Sequence, residues 1–250
     1  MSELQKKIQR IQRREGSGAF GFGAARREAP RALLLAALAR DKGGLKAAQD
    51  AGADIVIVAA GDANTAASVI AGSKGSCAGA FVASLDEAGA KALHDAGCDF
   101  VISTLDGTDS AAVDTDSMGQ VVVASRELTD TTLRALGPMG LDALYVEASS
   151  GAMTLAGQLE LVRLASFASC PLLVGVSAGA SAAELRVLRD SGVAAVVAPA
   201  AATAEDLAAL DEALKSVPAS KRGRRDGREM AIVPAAASRS GSDDDDDDDE

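Results

Sequence analysis

The chain has 250 residues, of which 48% are hydrophobic but only 2% aromatic, with no Trp and a single Tyr. This length suits one large domain or two small ones, and so few aromatic rings exclude a stacking platform for bases or sugars. The net charge is −11 at pH 7, and residues 31–217 hold twelve basic and twenty-three acidic residues, which disfavours a broad nucleic-acid surface on the globular part.

Residues 1–29 form a basic N-terminal segment. Leu4, Ile8 and Ile11 recur at the spacing of one helix face, which predicts a short helix, and a Gly-rich connector with Phe20 and Phe22 follows. Because this segment contributes no strand, we expect residues 1–23 to be dispensable for folding. The alternative is that the helix closes one end of the domain, with both Phe residues in its core.

Residues 30–217 alternate between apolar runs and helical segments. Continuous rather than alternating apolarity is typical of parallel strands that are buried on both faces. Eight such runs are present: Arg31–Leu38, Asp54–Ala59, Ala78–Ala83, Asp99–Ser103, Gln120–Ala124, Ala143–Val146, Leu172–Val176 and Ala194–Ala198.

Helix boundaries are marked between these runs. Ser84–Glu87 and Ser181–Glu184 fit capping boxes, and Gly52, Gly97 and Gly192 each stop a helix directly before a strand. Asp62 and Asp86 are interpreted as caps, and Thr203–Val217 is the last helix. The weakest unit is 105–119, where a helix of a turn or two is expected around Ser110–Val113.

The count of eight strands predicts an α/β fold, a single (βα)8 TIM-like barrel over residues 30–217. An open doubly wound parallel sheet is the alternative if one strand is miscounted. Residues 218–250 form a basic-then-acidic tail that ends in Asp243–Asp249 and Glu250, and its composition predicts disorder. We expect this tail to occupy the basic segments and to suppress binding to nucleic acid or anionic lipid; a purely solubilising tail is the alternative.

Other features narrow the compartment and the chemistry. No apolar run is long enough for a membrane span, and charges stand where a signal peptide would be apolar, so a cytoplasmic protein is expected. Cys77, Cys98 and Cys170 show no metal-ligand spacing and are interpreted as buried thiols. His94, the only histidine, falls on a helix away from the strand ends, so no metal site is predicted.

Candidate site residues follow the strands, because active sites of such barrels lie where strands end and loops begin. Glu147 directly follows Leu144–Val146 and is the candidate general acid or base. Arg126 and Lys42 are candidates to neutralise an anionic substrate. The alternative for all three is a role in solvated loops and surface ion pairs.

A small-residue segment joins the seventh strand to its helix. Backbone amides near Ser177, Gly179, Ala180 and Ser181 can approach an anion, and a helix N-terminus favours negative charge. From Cys170 to Leu214 the sequence resembles the last two units of aldolase-type, phosphate-binding TIM barrels, a group of small-metabolite lyases, isomerases and flavin-dependent oxidoreductases. The Gly-Gly typical of that group is here Ala178-Gly179, and Ala198-Pro199-Ala200 replaces the glycine expected after the eighth strand.

Two hypotheses for function follow. The first is a lyase or isomerase that acts on a small anionic or phosphorylated metabolite, with Glu147 transferring a proton and Arg126 or Lys42 holding the anion. No cofactor is required by the sequence, and a flavin or a phosphate ligand is compatible with the resemblance, as is a homo-oligomer. The second is a non-catalytic barrel that serves as an assembly or interaction module through its charged tails.

Overall fold

The computed structural model describes residues 1–16, 31–71, 73, 77–149 and 151–218. Phe20, Phe22 and the acidic tail lie outside the described residues. Within them, eight parallel strands close into a barrel in chain order: β1 (Leu34–Ala39), β2 (Ile55–Ala59), β3 (Cys77–Phe81), β4 (Phe100–Ser103), β5 (Gly119–Val123), β6 (Ala143–Val146), β7 (Leu172–Gly175) and β8 (Val193–Ala198).

The barrel closes between its first and last strands. Leu35 of β1 lies opposite Val196 of β8 in a parallel ladder, so the expected TIM-like barrel is confirmed and the open-sheet alternative is wrong. The described part also contains eight α-helices: α1 (Glu3–Gly16), α2 (Lys42–Asp50), α3 (Ala63–Ile70), α4 (Glu87–Asp95), α5 (Asp130–Leu136), α6 (Leu155–Ala168), α7 (Ala182–Asp190) and α8 (Ala204–Lys215).

Each strand is buried on both faces, which explains the unbroken apolar runs. One set of side chains packs outward against the helices, and the alternate set fills the barrel interior. The lumen is tight: the Phe100 ring lies over Gly79, where a Cβ would come within 2.3 Å of it. A glycine on β3 is therefore what allows the Phe100 ring to fit in the lumen.

The predicted helix boundaries are largely confirmed. Asp62 and Asp86 cap α3 and α4 by accepting hydrogen bonds from backbone amides, and Ser181 and Glu184 form the expected capping box. Gly52, Gly97 and Gly192 take the positive φ angles that end a helix. The proposed capping box at Ser84 is wrong, because the chain enters α4 two residues later, at Asp86.

The connection from β4 to β5 contains no helix. Residues 104–118 form turns instead, so the short helix expected around Ser110–Val113 is wrong. Local side-chain bonds hold this connection: the Thr108 hydroxyl donates to the Thr104 carbonyl at 2.6 Å, and the Gly107 amide donates to the Thr104 hydroxyl at 3.1 Å. In the described part, seven α-helices therefore follow barrel strands, and α1 precedes the barrel.

Helix α1 covers the N-terminal end of the barrel. Leu4 and Ile8 are 0% and 2% exposed and pack into the cluster that fills the lumen. The Asp99 carboxylate, directly before β4, accepts hydrogen bonds from the backbone amides of Glu3 (2.7 Å) and Leu4 (2.8 Å). These contacts favour the alternative raised above, that the N-terminal helix closes one end of the domain.

Two remaining expectations concern membrane spans and the cysteines. None of the helices in the described ranges is long and apolar enough to cross a membrane. All three cysteines are free and buried, and burial raises the pKa of the Cys98 thiol to about 12. A thiol held protonated in this way is a poor nucleophile.

Candidate functional site

A cavity of about 410 Å³ opens at the C-terminal edge of the barrel. Its floor is apolar, since Val146, Val174, Leu161 and Leu164 all belong to the cluster between strands and helices. It thus lies between strands β5–β7 and helix α6, beside the filled lumen rather than in it. Its rim is polar and carries Ser125, Arg126, Glu147, Ser149 and Glu160.

Arg126 and Glu147 line this same cavity, as their positions after neighbouring strands β5 and β6 predict. Both side chains are exposed, and neither forms an ion pair with another described residue. Glu147 also acts electrostatically on a buried neighbour. Burial raises the pKa of the Tyr145 phenol, and the negative charge of Glu147 raises this pKa further. The cavity therefore offers an unpaired carboxylate and an unpaired guanidinium on one rim.

The second carboxylate of the rim, Glu160, is already occupied. Arg163 binds both of its oxygens, with Nε and Nη2 each donating at 3.0 Å. The same guanidinium also donates to the Leu128 carbonyl at 2.9 Å and pairs with Asp130. Arg163 thus ties Glu160 to the loop that carries Arg126, so the Glu160 carboxylate is engaged in an ion pair whereas, within the described residues, Glu147 is not.

A second cavity of about 330 Å³ adjoins the first and shares Ser149, Met153 and Gly175 with it. Of the residues predicted after β7, Ser177, Gly179 and Ala180 line it. The site residues predicted around β5–β7 are therefore brought together along one edge of the barrel.

Two of the amides directly before α7 already have acceptors inside the protein. The Ser181 N–H donates to Glu184 Oε2 at 2.9 Å, and the Ala180 N–H donates to the Ser177 carbonyl at 3.2 Å. Glu184 also lines the second cavity, so a carboxylate stands at the helix N-terminus where an anion was predicted. An incoming phosphate has to displace that carboxylate or bind beside it.

Lys42 is not part of this arrangement. It begins α2 after β1 and is exposed, whereas β1 pairs with β2 and β8 and lies across the barrel from β5. Neither of the two cavities is lined by it. Of the two candidate cations, Arg126 is the one that shares a cavity with Glu147.

Sequence reasoning did not identify Met153, Glu160 or Tyr145 as parts of this region. Met153 lies just before α6 and Glu160 lies on it. Which face of this helix meets the cavity depends on tertiary packing. The i, i+3 spacing of Glu160 and Arg163 was a usable signal for their ion pair. The position of Tyr145 could also have been predicted, since side chains alternate along a strand and Ala143 faces the lumen, which directs Tyr145 into the lumen as well.

Solved structures share this fold at low sequence identity. Tryptophan synthase from Mycobacterium tuberculosis is 15% identical with a TM-score of 0.64, over 88% of this chain and 99% of that one. KGPDC from Streptococcus mutans is 15% identical (TM-score 0.58; 74% and 98% covered). Phosphoribosyl anthranilate isomerase from Thermococcus kodakaraensis is 16% identical (TM-score 0.52; 74% and 98% covered).

The chain therefore has the same closed eight-stranded parallel barrel fold as these solved structures. No protein-family model matches the sequence, and no curated protein is similar to it in sequence. At these identities the likeness to solved structures establishes the fold alone.

Proposed function

We propose that this barrel is an enzyme of the lyase or isomerase kind, which acts on a small anionic metabolite at the cavity between β5, β6 and α6. One observation carries the proposal: Arg126 and Glu147, both without an ion-pair partner among the described residues, line the same cavity of about 410 Å³ at the strand ends. The apolar floor accommodates a carbon skeleton, and the rim supplies charge.

The two charged residues take different roles. Glu147 is the proton-transfer residue, because Glu160 on the same rim is engaged by Arg163. Arg126 binds the anionic group, since a guanidinium presents paired donors to a carboxylate or phosphate. Arg163 holds the backbone that carries this guanidinium through the Arg126 and Leu128 carbonyls, which reduces the cost of ordering the loop on binding.

Phosphorylated substrates are the finer version of this proposal. The second cavity beside Ser177 and Gly179 would receive the phosphate, and one neighbour of similar fold is a phosphoribosyl anthranilate isomerase. Glu184 opposes this assignment electrostatically. A non-phosphorylated acid bound by Arg126 in the first cavity does not have to compete with Glu184, which lines only the second cavity.

Ligand-dependent thermal unfolding tests the binding half of the proposal. Malonate, glycerol 3-phosphate and inorganic phosphate are the probes, each at millimolar concentration, because a ligand that binds the folded state raises the melting temperature by mass action. We expect at least one of them to raise the melting temperature of the native chain, and Arg126→Ala to remove the rise. Arg40→Ala, an exposed arginine at the end of β1, is the matched control and should keep it.

Three variants separate the two cavities and the proton transfer. Gly179→Leu should abolish the shift with glycerol 3-phosphate only if the phosphate enters the second cavity. With a substrate identified by mass spectrometry of the native protein, Glu147→Gln should retain binding but lose exchange of substrate hydrogen with deuterated solvent. Glu127→Gln, in the same loop as Arg126, should retain both. Equal melting shifts in native and Arg126→Ala chains would refute the anion site.

A further inference from the structure

Helix α6 presents an apolar stripe to solvent, on the side opposite its packing face. Leu155 is 80% exposed, Leu159 68% and Val162 37%, whereas Leu161, Leu164 and Ala168 on the other side of the helix are buried. Single exposed leucines are common on protein surfaces. Here three large apolar side chains lie in one row on one helix, so they are not scattered singly, and contiguous exposed apolar surface is where partners bind.

The spacing of this stripe identifies the shape of its partner. Leu155, Leu159, Val162 and Ser166 are separated by four, three and four residues, and all four are exposed. This is the spacing of the seam along which one helix packs side by side with another. The stripe therefore fits a second helix that lies along α6.

We propose that the partner is α6 of a second copy of this chain, packed antiparallel about a two-fold axis. In that arrangement Leu155 faces Ser166 of the second copy, and Leu159 faces Val162 of the second copy. A large Leu155 side chain then meets a small Ser166 side chain at each end of the contact, so the two stripes are complementary in shape. Such a self-complementary patch is what a two-fold symmetric interface requires.

Charge also favours a second copy over a charged partner. Two copies of an acidic domain repel each other over most of their surfaces, but the residues flanking the stripe, Ala156, Gln158 and Ala165, carry no charge. Arg163, the charged residue closest to the stripe, is engaged by Glu160 and Asp130 of its own chain. Within α6, the residues beside the stripe therefore offer a charged partner no free opposite charge.

The size of the contact sets its strength. A helix of 14 residues is about 21 Å long, a small contact beside the roughly 800 Å² that each partner contributes to a standard interface. The dimer is therefore expected to dissociate on dilution. Its other flank lines the candidate cavity through Gly157, Glu160 and Leu161, so dimerisation holds the wall of that cavity from behind.

Sedimentation velocity of the full chain over a range of concentrations tests the proposal. We expect the 25.1 kDa chain to move reversibly to twice that mass as its concentration rises, and Leu159→Glu to remain monomeric. Met139→Glu is the matched control, because Met139 is 52% exposed but lies outside the stripe, and it should dimerise like the native chain. Unchanged thermal unfolding of both variants confirms that they are folded.

Cysteine pairing tests the antiparallel register. The double variant Leu155→Cys with Ser166→Cys should form a covalent dimer under mild oxidation, and either single variant should form much less. The native cysteines are buried and supply little background. A chain that stays monomeric at all concentrations, a dimer unaffected by Leu159→Glu, or equal cross-linking by a single variant would overturn the proposal.

Discussion

The candidate site depends at the residue scale on how closely two loops approach each other. A Cβ on Gly175 would lie 2.6 Å from the Ala148 backbone nitrogen, closer than real Cβ contacts allow. Gly175 therefore lets the chain after Glu147 press against the end of β7, and this contact forms the wall that the two cavities share. Gly179, in the same connection, has nothing within 4 Å of such a Cβ.

These two glycines form a matched pair for mutation. We expect Gly175→Ala to lower the free energy of unfolding by about 1–3 kcal/mol, the usual cost of overpacking, and to displace the loop that carries Glu147. Gly179→Ala should be neutral or slightly stabilising, because it restricts the unfolded chain without a clash. Urea denaturation of both variants measures the difference, and equal costs would contradict the close approach.

Asp142 makes a pH-dependent contribution at the same scale. Burial raises the pKa of this carboxyl above its ordinary 3.8, although the hydrogen bond from the Ser2 hydroxyl opposes the shift. The folded state then binds the proton more tightly than the unfolded state, so this contribution to stability is present at acid pH and falls as pH rises through the folded pKa. The charged carboxylate is therefore a cost at neutral pH.

Asp142→Asn should accordingly raise the melting temperature at neutral pH, and the gain should vanish on acidification below the ordinary pKa. Asp62 provides the contrast, because hydrogen bonds from Thr65 lower its pKa, and its contribution is lost as pH falls. Melting temperatures measured from acid to neutral pH check both signs. A gain for Asp142→Asn that persists in acid would show that its cause is not the charge.

Local patterns predicted the elements well, and non-local contacts explain the failures. All eight strands were found, because a strand buried on both faces carries its signature within five or six residues. The start of α4 had two candidates because Ser84 and Asp86 are both good caps; the structure has the cap at Asp86, while Leu85 beside it pairs with the distant Thr108. Arg126 and Glu147 were found for the same local reason, whereas the Arg163 contacts depend on how α6 packs.

The sequence left two interpretations of α1 open, since its spacing shows an apolar face but not what covers it; the burial of Leu4 and Ile8 favours the one in which α1 closes the barrel. We now expect Leu4→Ala or Ile8→Ala each to cost about 2–5 kcal/mol, as for buried large-to-small changes. Asp99→Asn should weaken the hydrogen bonds that the backbone amides of Glu3 and Leu4 donate to this side chain at the start of α1. Lys6→Ala, on the exposed face, is the control, and urea denaturation is the measurement. Full stability of the Leu4→Ala variant would restore the first expectation, that the segment is dispensable.

At the scale of the whole molecule, stability depends on joining the two ends of the described chain. β8 pairs with β1, and Leu207, Leu210 and Leu214 of α8 are buried. A chain truncated after residue 192 lacks both elements and leaves two strand edges open, so we expect it to lose cooperative unfolding and to aggregate. A chain truncated after residue 218 should melt within a few degrees of full length. Circular dichroism on heating distinguishes the two, and cooperative unfolding of the shorter chain would contradict this account.

The position of α1 also sets an order of events during synthesis. The helix is translated before the barrel, yet its anchors Asp99 and Asp142 lie directly before β4 and β6, and the lumen that Leu4 and Ile8 enter is complete only once β8 is in place. At about 5–20 residues per second, the ribosome takes roughly 10–40 s to make the intervening chain. Throughout that interval the apolar face of α1 has no barrel to cover it, so α1 is translated before the barrel but docks only after the last strand is in place.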